Sequence, residues 1–202
     1  MAQSSETVLL PKPVHVADKS LEELLRQRRS VRDYQSTALQ LQDISQLLWA
    51  AQGITHPAGM RTAPSAGALY PLELYVIAGN VNGMAAGVYH YRVDDHRLTL
   101  MQGGDKRKPL AHAALGQAWV RNAAAVVVFA AVYDRTTRKY GERGVRYVHM
   151  EVGHAAQNLF LQAGALGLAT VVVGAFRDDE LADVLQLPDN VRPLVLMPVG
   201  HE

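Results

Sequence analysis

The chain has 202 residues, of which 49% are hydrophobic and 19% charged, a balance that suits one compact domain with a sizeable core and excludes a disordered scaffold. Twenty Lys and Arg against nineteen Asp and Glu leave a formal net charge of +1; this is too little for a protein that neutralises nucleic-acid or membrane phosphates over a broad face, so any anion site is local. With no cysteine in the sequence, disulfides, thiolate nucleophiles, thiolate zinc sites and iron–sulfur clusters are excluded, and redox chemistry requires a bound cofactor.

Residues 1–17 carry no period and include Pro11-Lys12-Pro13. They read as an extended arm ahead of a single domain over 18–202. The N-terminus lacks a basic stretch followed by an apolar one, and no apolar run approaches the roughly 20 residues of a membrane helix, which predicts a cytoplasmic protein. Ser20 with Glu23 is a capping-box signature, and Leu21, Leu24 and Leu25 supply an apolar stripe, predicting a helix that stops near Arg29. A second helix is written by Ile44, Leu47, Leu48 and Ala51, with Gly53 expected as a left-handed cap. Residues 55–71 follow neither period and form a structured loop. A strand begins at Glu73, and 87–92 with 97–101 make a hairpin. A short helix is expected around 110–115. The continuous β-branched run up to Val132 predicts a central strand covered on both faces. The longest helix candidate spans 144–165 and is apolar nearly all round, which places it inside the fold or in a subunit interface. A second central strand is expected over 168–174, then a short helix capped by Asp178 and a last strand over 193–200. Interleaved helices and strands make the fold α+β or α/β with a mixed sheet, and no internal repeat is visible.

Three constellations could carry chemistry. Arg26, Arg28, Arg29, Ser30 and Arg32 cluster at the exit of the first helix. They either complement the helix dipole as solvated cations or clamp a phosphate with planar forks of donors, to which Ser30 adds a hydroxyl. Pro64-Ser65-Ala66-Gly67-Ala68-Leu69-Tyr70-Pro71 is a run of small residues stiffened by two prolines; it is either a tight connection into the next strand or a backbone surface that approaches a flat ligand closely. Glu151 and His154 have the Glu-x-x-His spacing of di-iron helices, but one copy is present where two are required, so the histidine reads as structural or interfacial. Ser65 lies in no Gly-x-Ser-x-Gly elbow, and neither a Gly-x-Gly-x-x-Gly opening a helix nor a P-loop occurs.

Taken in order, RRSVRDY at 28–34, PSAGALYPLELYVI at 64–77, KYGERGVRYVHMEVGHAAQNLFLQAGALGL at 139–168, VVGAF at 172–176 and LPDNVRPLVLMPVG near the end resemble the FMN-dependent nitroreductase superfamily. The Pro-Ser-Ala-Gly-Ala and Tyr-Pro elements look most like its SagB-type dehydrogenase branch, whose members oxidise azolines to azoles in peptide natural products. The resemblance covers about residues 20–200. It implies an α+β fold, a mixed central sheet flanked by helices, in an intertwined homodimer with FMN in each interface. It also implies hydride transfer through flavin N5 between NAD(P)H and a nitroaromatic, quinone or related acceptor, or azoline oxidation, with no nucleic acid or membrane partner. Carried over, Arg28, Arg29, Ser30 and Arg32 hold the ribityl phosphate; Pro64, Ser65, Ala66, Gly67 and Leu69 of the partner chain line the ring and ribityl chain; Val173, Gly174 and Ala175 lie by the reactive edge; and Gln117 reaches the pyrimidine side. No side chain is singled out as catalytic and no metal is expected. Two departures stand out: Ala68 and Tyr70 replace an Asn and a Gln of nitro-reducing members, and His201-Glu202 follow Gly200 where many members have a basic residue. A flavin-binding protein without turnover of its own is the alternative function.

Overall fold

The computed structural model describes residues 6–202. Its elements are β1 (Thr7–Leu9), α1 (Leu21–Gln27), β2 (Leu39–Gln40), α2 (Leu41–Gln52), β3 (Leu72–Ala78), β4 (Val81–Asn82), β5 (Gly87–Arg92), β6 (Arg97–Gly103), α3 (Arg107–Ala113), α4 (Ala118–Asn122), β7 (Ala125–Ala131), α5 (Asp134–Tyr140), α6 (Arg143–Ala165), β8 (Ala169–Thr170), α7 (Asp178–Leu185) and β9 (Arg192–Gly200), with a 3-10 turn at Ala66–Ala68.

The fold is α+β. A seven-stranded sheet runs in the order β1-β6-β5-β3-β7-β9-β8, and alternation along its central strands builds two cores. Leu74, Val76, Val127 and Phe129 face α2 and α6 on one side. Tyr75, Ile77, Val126 and Val128 face α3, α4 and α7 on the other. Both faces are covered, which is why β7 is apolar throughout. The sheet differs from the mixed one expected, because all its pairings are antiparallel and a parallel pairing occurs in the separate two-residue ladder β2–β4.

Several local expectations are corrected. The arm is extended, but Thr7–Leu9 adds an edge strand to β6 and Leu10 is buried in the core; residues 1–5 lie outside the described ones. The arm's next turn is tied to α2, where Ser45 Oγ donates to the Pro11 carbonyl at 2.5 Å and Gln46 exchanges two 2.8 Å hydrogen bonds with Val14. Gly53 is extended rather than left-handed (φ −62, ψ 147). It is needed for space, since a Cβ there would sit 2.2 Å from the Trp49 ring. The strand expected over 168–174 is an edge element. Only Ala169 and Thr170 pair with β9 before Val173 bridges to Leu196. The gap falls opposite Pro198, which has no N–H to give. Arg177, not Asp178, is the N-cap residue of α7, and Asp178, Asp179 and Glu180 fill its first turn, where the dipole favours acids. The short helices α4 and α5 were not anticipated.

Candidate functional site

Ser20 caps α1, its Oγ accepting from the Glu23 N–H at 3.2 Å, and the helix ends at Gln27. The segment that follows is pinned to the sheet's β8–β9 edge. Val31 N–H donates to the Thr170 carbonyl at 3.1 Å, Gln35 N–H to that of His201 at 2.8 Å, and the Tyr34 hydroxyl lies 2.9 and 3.2 Å from the Val31 and Pro198 carbonyls. Burial pushes the Tyr34 hydroxyl's pKa well up, keeping it a neutral donor. The arginines are thus presented on a fixed backbone. Arg29 folds back, its Nη1 donating to the Arg26 and Arg28 carbonyls at 3.1 and 2.8 Å, and so caps the helix end. Arg28 and Arg32 rest over aromatic faces, 4.9 Å from the Phe160 centroid and 5.5 Å from that of Trp119. None of the ion pairs among the described residues includes Arg28, Arg29 or Arg32. Arg29 thus serves the helix end, whereas the exposed Ser30 and Arg32 and the half-buried Arg28 leave donors that no ion pair among the described residues engages. Arg28 and Arg29 border a cavity of about 250 Å³ floored by Phe160, Gly164 and Thr170.

The loop from Pro64 takes an unusual shape for non-glycine residues. Gly67, Ala68 and Tyr70 all have positive φ (62, 54 and 44), a conformation that costs an L-residue about 1–2 kcal/mol each. Local bonds hold it: Ser65 Oγ accepts from Tyr70 N–H at 2.9 Å, Arg135 donates to the Tyr70 carbonyl at 3.0 Å, and Arg61 donates its N–H to the Tyr70 hydroxyl at 3.2 Å while its guanidinium stacks 4.4 Å from the ring. Tyr70, a departure from nitro-reducing members, is thus the loop's internal brace. Gly67 has a second reason to lack a side chain, because a Cβ would lie 2.8 Å from the Tyr140 hydroxyl and 3.0 Å from the Lys139 ammonium. Those two groups, from the 139–168 segment, stand at the loop's tip. Beneath the loop, Pro64, Ser65 and Ala66 share a cavity of about 280 Å³ with Tyr147, Met150, Glu151 and His154 of α6.

On the third segment, Val173 is buried and bridged to Leu196, while Gly174 and Ala175 are exposed. Their N–H groups have no acceptor among the described residues, and a Cβ on Gly174 would meet nothing within 4 Å. Gln117 sits beside the same turn. Its Nε2 donates to the Ala114 and Ala175 carbonyls, both at 2.8 Å, so it braces this turn and only its Oε1 remains for a ligand. No group of three or more metal-ligating side chains occurs among the described residues; Glu151 and His154 line the same cavity, Glu151 buried and His154 exposed.

The donor set fits a phosphorylated, flat, electron-accepting ligand: free guanidiniums for the phosphate, small residues for the ring, free N–H groups for developing negative charge. The cavity of Arg28 and Arg29 and that of Pro64 to Ala66 share no lining residue, and lie about two and a half turns apart along α6, from Glu151 to Phe160. One protomer thus presents the arginine segment and the Pro64 loop beside two different cavities.

Comparison with known proteins agrees with this geometry. The model of the nitroreductase family matches residues 25–201. A Methanocaldococcus jannaschii protein named as a nitroreductase is 48% identical over 187 residues, 93% of either chain. The Escherichia coli microcin B17-processing protein McbC is 29% identical over 181 residues, covering 80% of this chain and 62% of its own length. A Ralstonia eutropha crystal structure described under the same nitroreductase name superposes with a TM-score of 0.85 at 28% identity, covering 99% of this chain and 91% of that one. The chain belongs to the nitroreductase family.

Proposed function

We propose that the protein is an FMN-dependent oxidoreductase working as a homodimer, each flavin lying between the arginine segment of one protomer and the Pro64–Leu69 loop of the other. Flavin-dependent oxidoreduction is the chemistry of the family. The observation that carries the reading for this chain is a pair of guanidiniums in no ion pair among the described residues, Arg28 beside a cavity and Arg32 over the Trp119 face, in a protein whose Gly174 turn offers N–H donors without an acceptor among those residues. FMN, when bound, supplies a hydride acceptor and donor at its N5. Arg28, Ser30 and Arg32 would hold its phosphate, Ser65 to Leu69 would pack on the ring, and the N–H groups of Gly174 and Ala175 would favour negative charge at the reacting edge. Gln117 and Val173 keep that turn in place.

Dimerisation is supported by apolar surface that one protomer leaves open. Leu21 and Leu25 of the α1 stripe are 56% and 53% exposed, and Met150 on α6 is 52% exposed, although α6 buries its opposite face from Val148 to Ala163. The open face of Gly174 suits NAD(P)H as reductant and a nitroaromatic or quinone as acceptor. Azoline oxidation, the SagB-type activity, is the second reading. It removes a proton as well as a hydride, and the Lys139 and Tyr140 head groups at the tip of the loop are placed to handle that proton. The test is to identify the flavin that copurifies and to assay oxidation of NADH and NADPH with a quinone. Bound FMN with turnover supports the proposal. Bound FMN with no turnover by either nucleotide favours the dehydrogenase or a flavin carrier, and a colourless protein that takes up no FMN refutes it.

A further inference from the structure

The sheet face that packs under α3, α4 and α7 is apolar along Ile77, Val88, Val126 and Val128. Strand alternation and register send Glu73, Tyr75 and His90 to that same side, toward the end where β3 and β9 begin and β5 and β7 finish. There these polar side chains meet Pro188, Asn190 and Val191, which follow α7, around a cavity of about 410 Å³, a volume usual for a small-molecule site. It shares no lining residue with the cavity of the arginine segment or with that of the Pro64 loop. Its charges are only partly paired. Glu73 is neutralised by Arg135 and accepts a hydrogen bond from His90 at 2.6 Å. Arg61 and Arg92 stand in no ion pair among the described residues, and Asp94 is the one lining acid left unpaired, so one positive charge is in surplus. Arg61 uses Nη1 on Gln52 Oε1 at 2.7 Å and lays its plane on Tyr70, which leaves Nε and Nη2 without a partner among the described residues. Tyr75 is 2% exposed and stacked 4.9 Å from the His90 ring. Its hydroxyl nevertheless has no hydrogen bond among the described residues and opens on the cavity. Burial pushes that hydroxyl up to about 12, which keeps it a neutral donor.

We propose that this cavity is a second ligand site, which binds a small organic monocarboxylate with an apolar body. The guanidiniums of Arg61 and Arg92 and the hydroxyl of Tyr75 take the carboxylate, and Met101, Val132 and Val191 pack against the body. The donors decide the ligand's charge and the walls decide its shape. A neutral ligand leaves two arginines and a buried hydroxyl without an acceptor. A dianion such as inorganic phosphate exceeds the single surplus charge and covers none of the apolar wall. The site stands apart from the flavin reading, because none of the residues assigned to the flavin lines it.

The experiment is isothermal titration of the purified protein with naphthoate, and with naphthamide as its uncharged counterpart of the same shape. Two variants probe the cavity. Arg92→Gln removes the charge of an exposed side chain that has no hydrogen bond or ion pair among the described residues, and Tyr75→Phe removes only the unpartnered hydroxyl, so both should keep the wild-type melting temperature. Wild type should bind naphthoate at one saturable site and naphthamide at least tenfold more weakly. Arg92→Gln should weaken naphthoate about tenfold, and Tyr75→Phe about threefold to tenfold. The flavin's visible absorbance should stay unmoved throughout, whereas naphthoate seated on the ring would shift it. A loss in either variant with the flavin spectrum unmoved supports the site. No saturable binding, equal binding of naphthamide, displacement of naphthoate by equimolar inorganic phosphate, or wild-type affinity in both variants overturns it. Each of those failures leaves the flavin reading standing, since that reading rests on FMN binding.

Discussion

Replacing Arg32 with Ala separates a phosphate contact from a structural one. Arg32 is exposed and in no ion pair among the described residues, and its guanidinium lies over the Trp119 face at 5.5 Å. Truncation therefore costs the fold at most the cation–π contact, about 0.5–1 kcal/mol, a fall in melting temperature of roughly 2–4 °C for a chain of this size. Against bound FMN the loss is larger: a charge-assisted hydrogen bond to phosphate is worth about 1.5–3 kcal/mol, or roughly tenfold to a little over a hundredfold in Kd. Riboflavin, which lacks the phosphate, should change by less than about threefold, since the truncated group then has nothing to bind. Fluorescence titration of both flavins against wild type and variant reads these numbers directly. The FMN-specific gap should also narrow as salt rises, as expected for a partly exposed charge pair. Equal loss for FMN and riboflavin, or a wild type that binds the two equally, would refute the assignment of this segment to phosphate.

Three further outcomes follow from particular side chains. Gly153 is exposed, one turn on from the exposed Met150 of the proposed interface on α6, and a Cβ there meets nothing within 4 Å, so Gly153→Glu should leave the protomer folded while sedimentation shows dimer converted to monomer and flavin lost; an intact dimer retaining FMN would contradict the proposed interface. Gly174→Val has room in the protomer but crowds the reacting edge, so stopped-flow reduction should slow by at least tenfold, about 1.4 kcal/mol of barrier, with FMN affinity changed far less. Burial alone would raise the Glu73 carboxyl, but the hydrogen bond from His90 and the Arg135 guanidinium beside it overcome that and hold it below the usual carboxylate range. Its contribution to stability is thus present above the ordinary carboxylate pKa and lost as pH falls through its lowered one. Glu73→Gln should cost about 1.5–3 kcal/mol near neutral pH, with melting curves converging on those of wild type in acid; a gap that widens in acid would reverse the sign.

Patterns with a clear period were legible in the sequence. The stripe Ile44, Leu47, Leu48 and Ala51 gave α2 because each residue is fully or nearly fully buried, and the uninterrupted run of β7 marked a strand with a core on each side. What failed depended on partners that the local sequence does not display. Residues 168–174 look like a central strand, and only Pro198 opposite them, on β9, breaks the ladder. Gly53 does end α2, but not in the left-handed conformation expected, and only the ring of Trp49 shows that space rather than φ selects it. The arginine cluster was visible, but not the division of labour within it, which depends on where Arg29 turns. Glu151 was noticed for a spacing that has no use here; its burial under Ser65 arises from two segments 86 positions apart in the chain. Nothing local in the sequence shows that Tyr70 and Gln117 brace the turns beside them, because their partners, Ser65 and Arg61 for one and the Ala114 and Ala175 carbonyls for the other, are set by the fold.

Anaerobic titration of the FMN-loaded protein with NADPH, and separately NADH, tests the central claim most directly. If the arginine segment, the Ser65 loop and the Gly174 turn together build a hydride-transfer site, the yellow absorbance of one flavin per protomer is bleached by one of the two nucleotides and returns on addition of a quinone. If the flavin binds but stays oxidised with both nucleotides, while dithionite bleaches it, the nicotinamide-linked reading is contradicted and the site is that of a dehydrogenase with another hydride donor or of a flavin carrier.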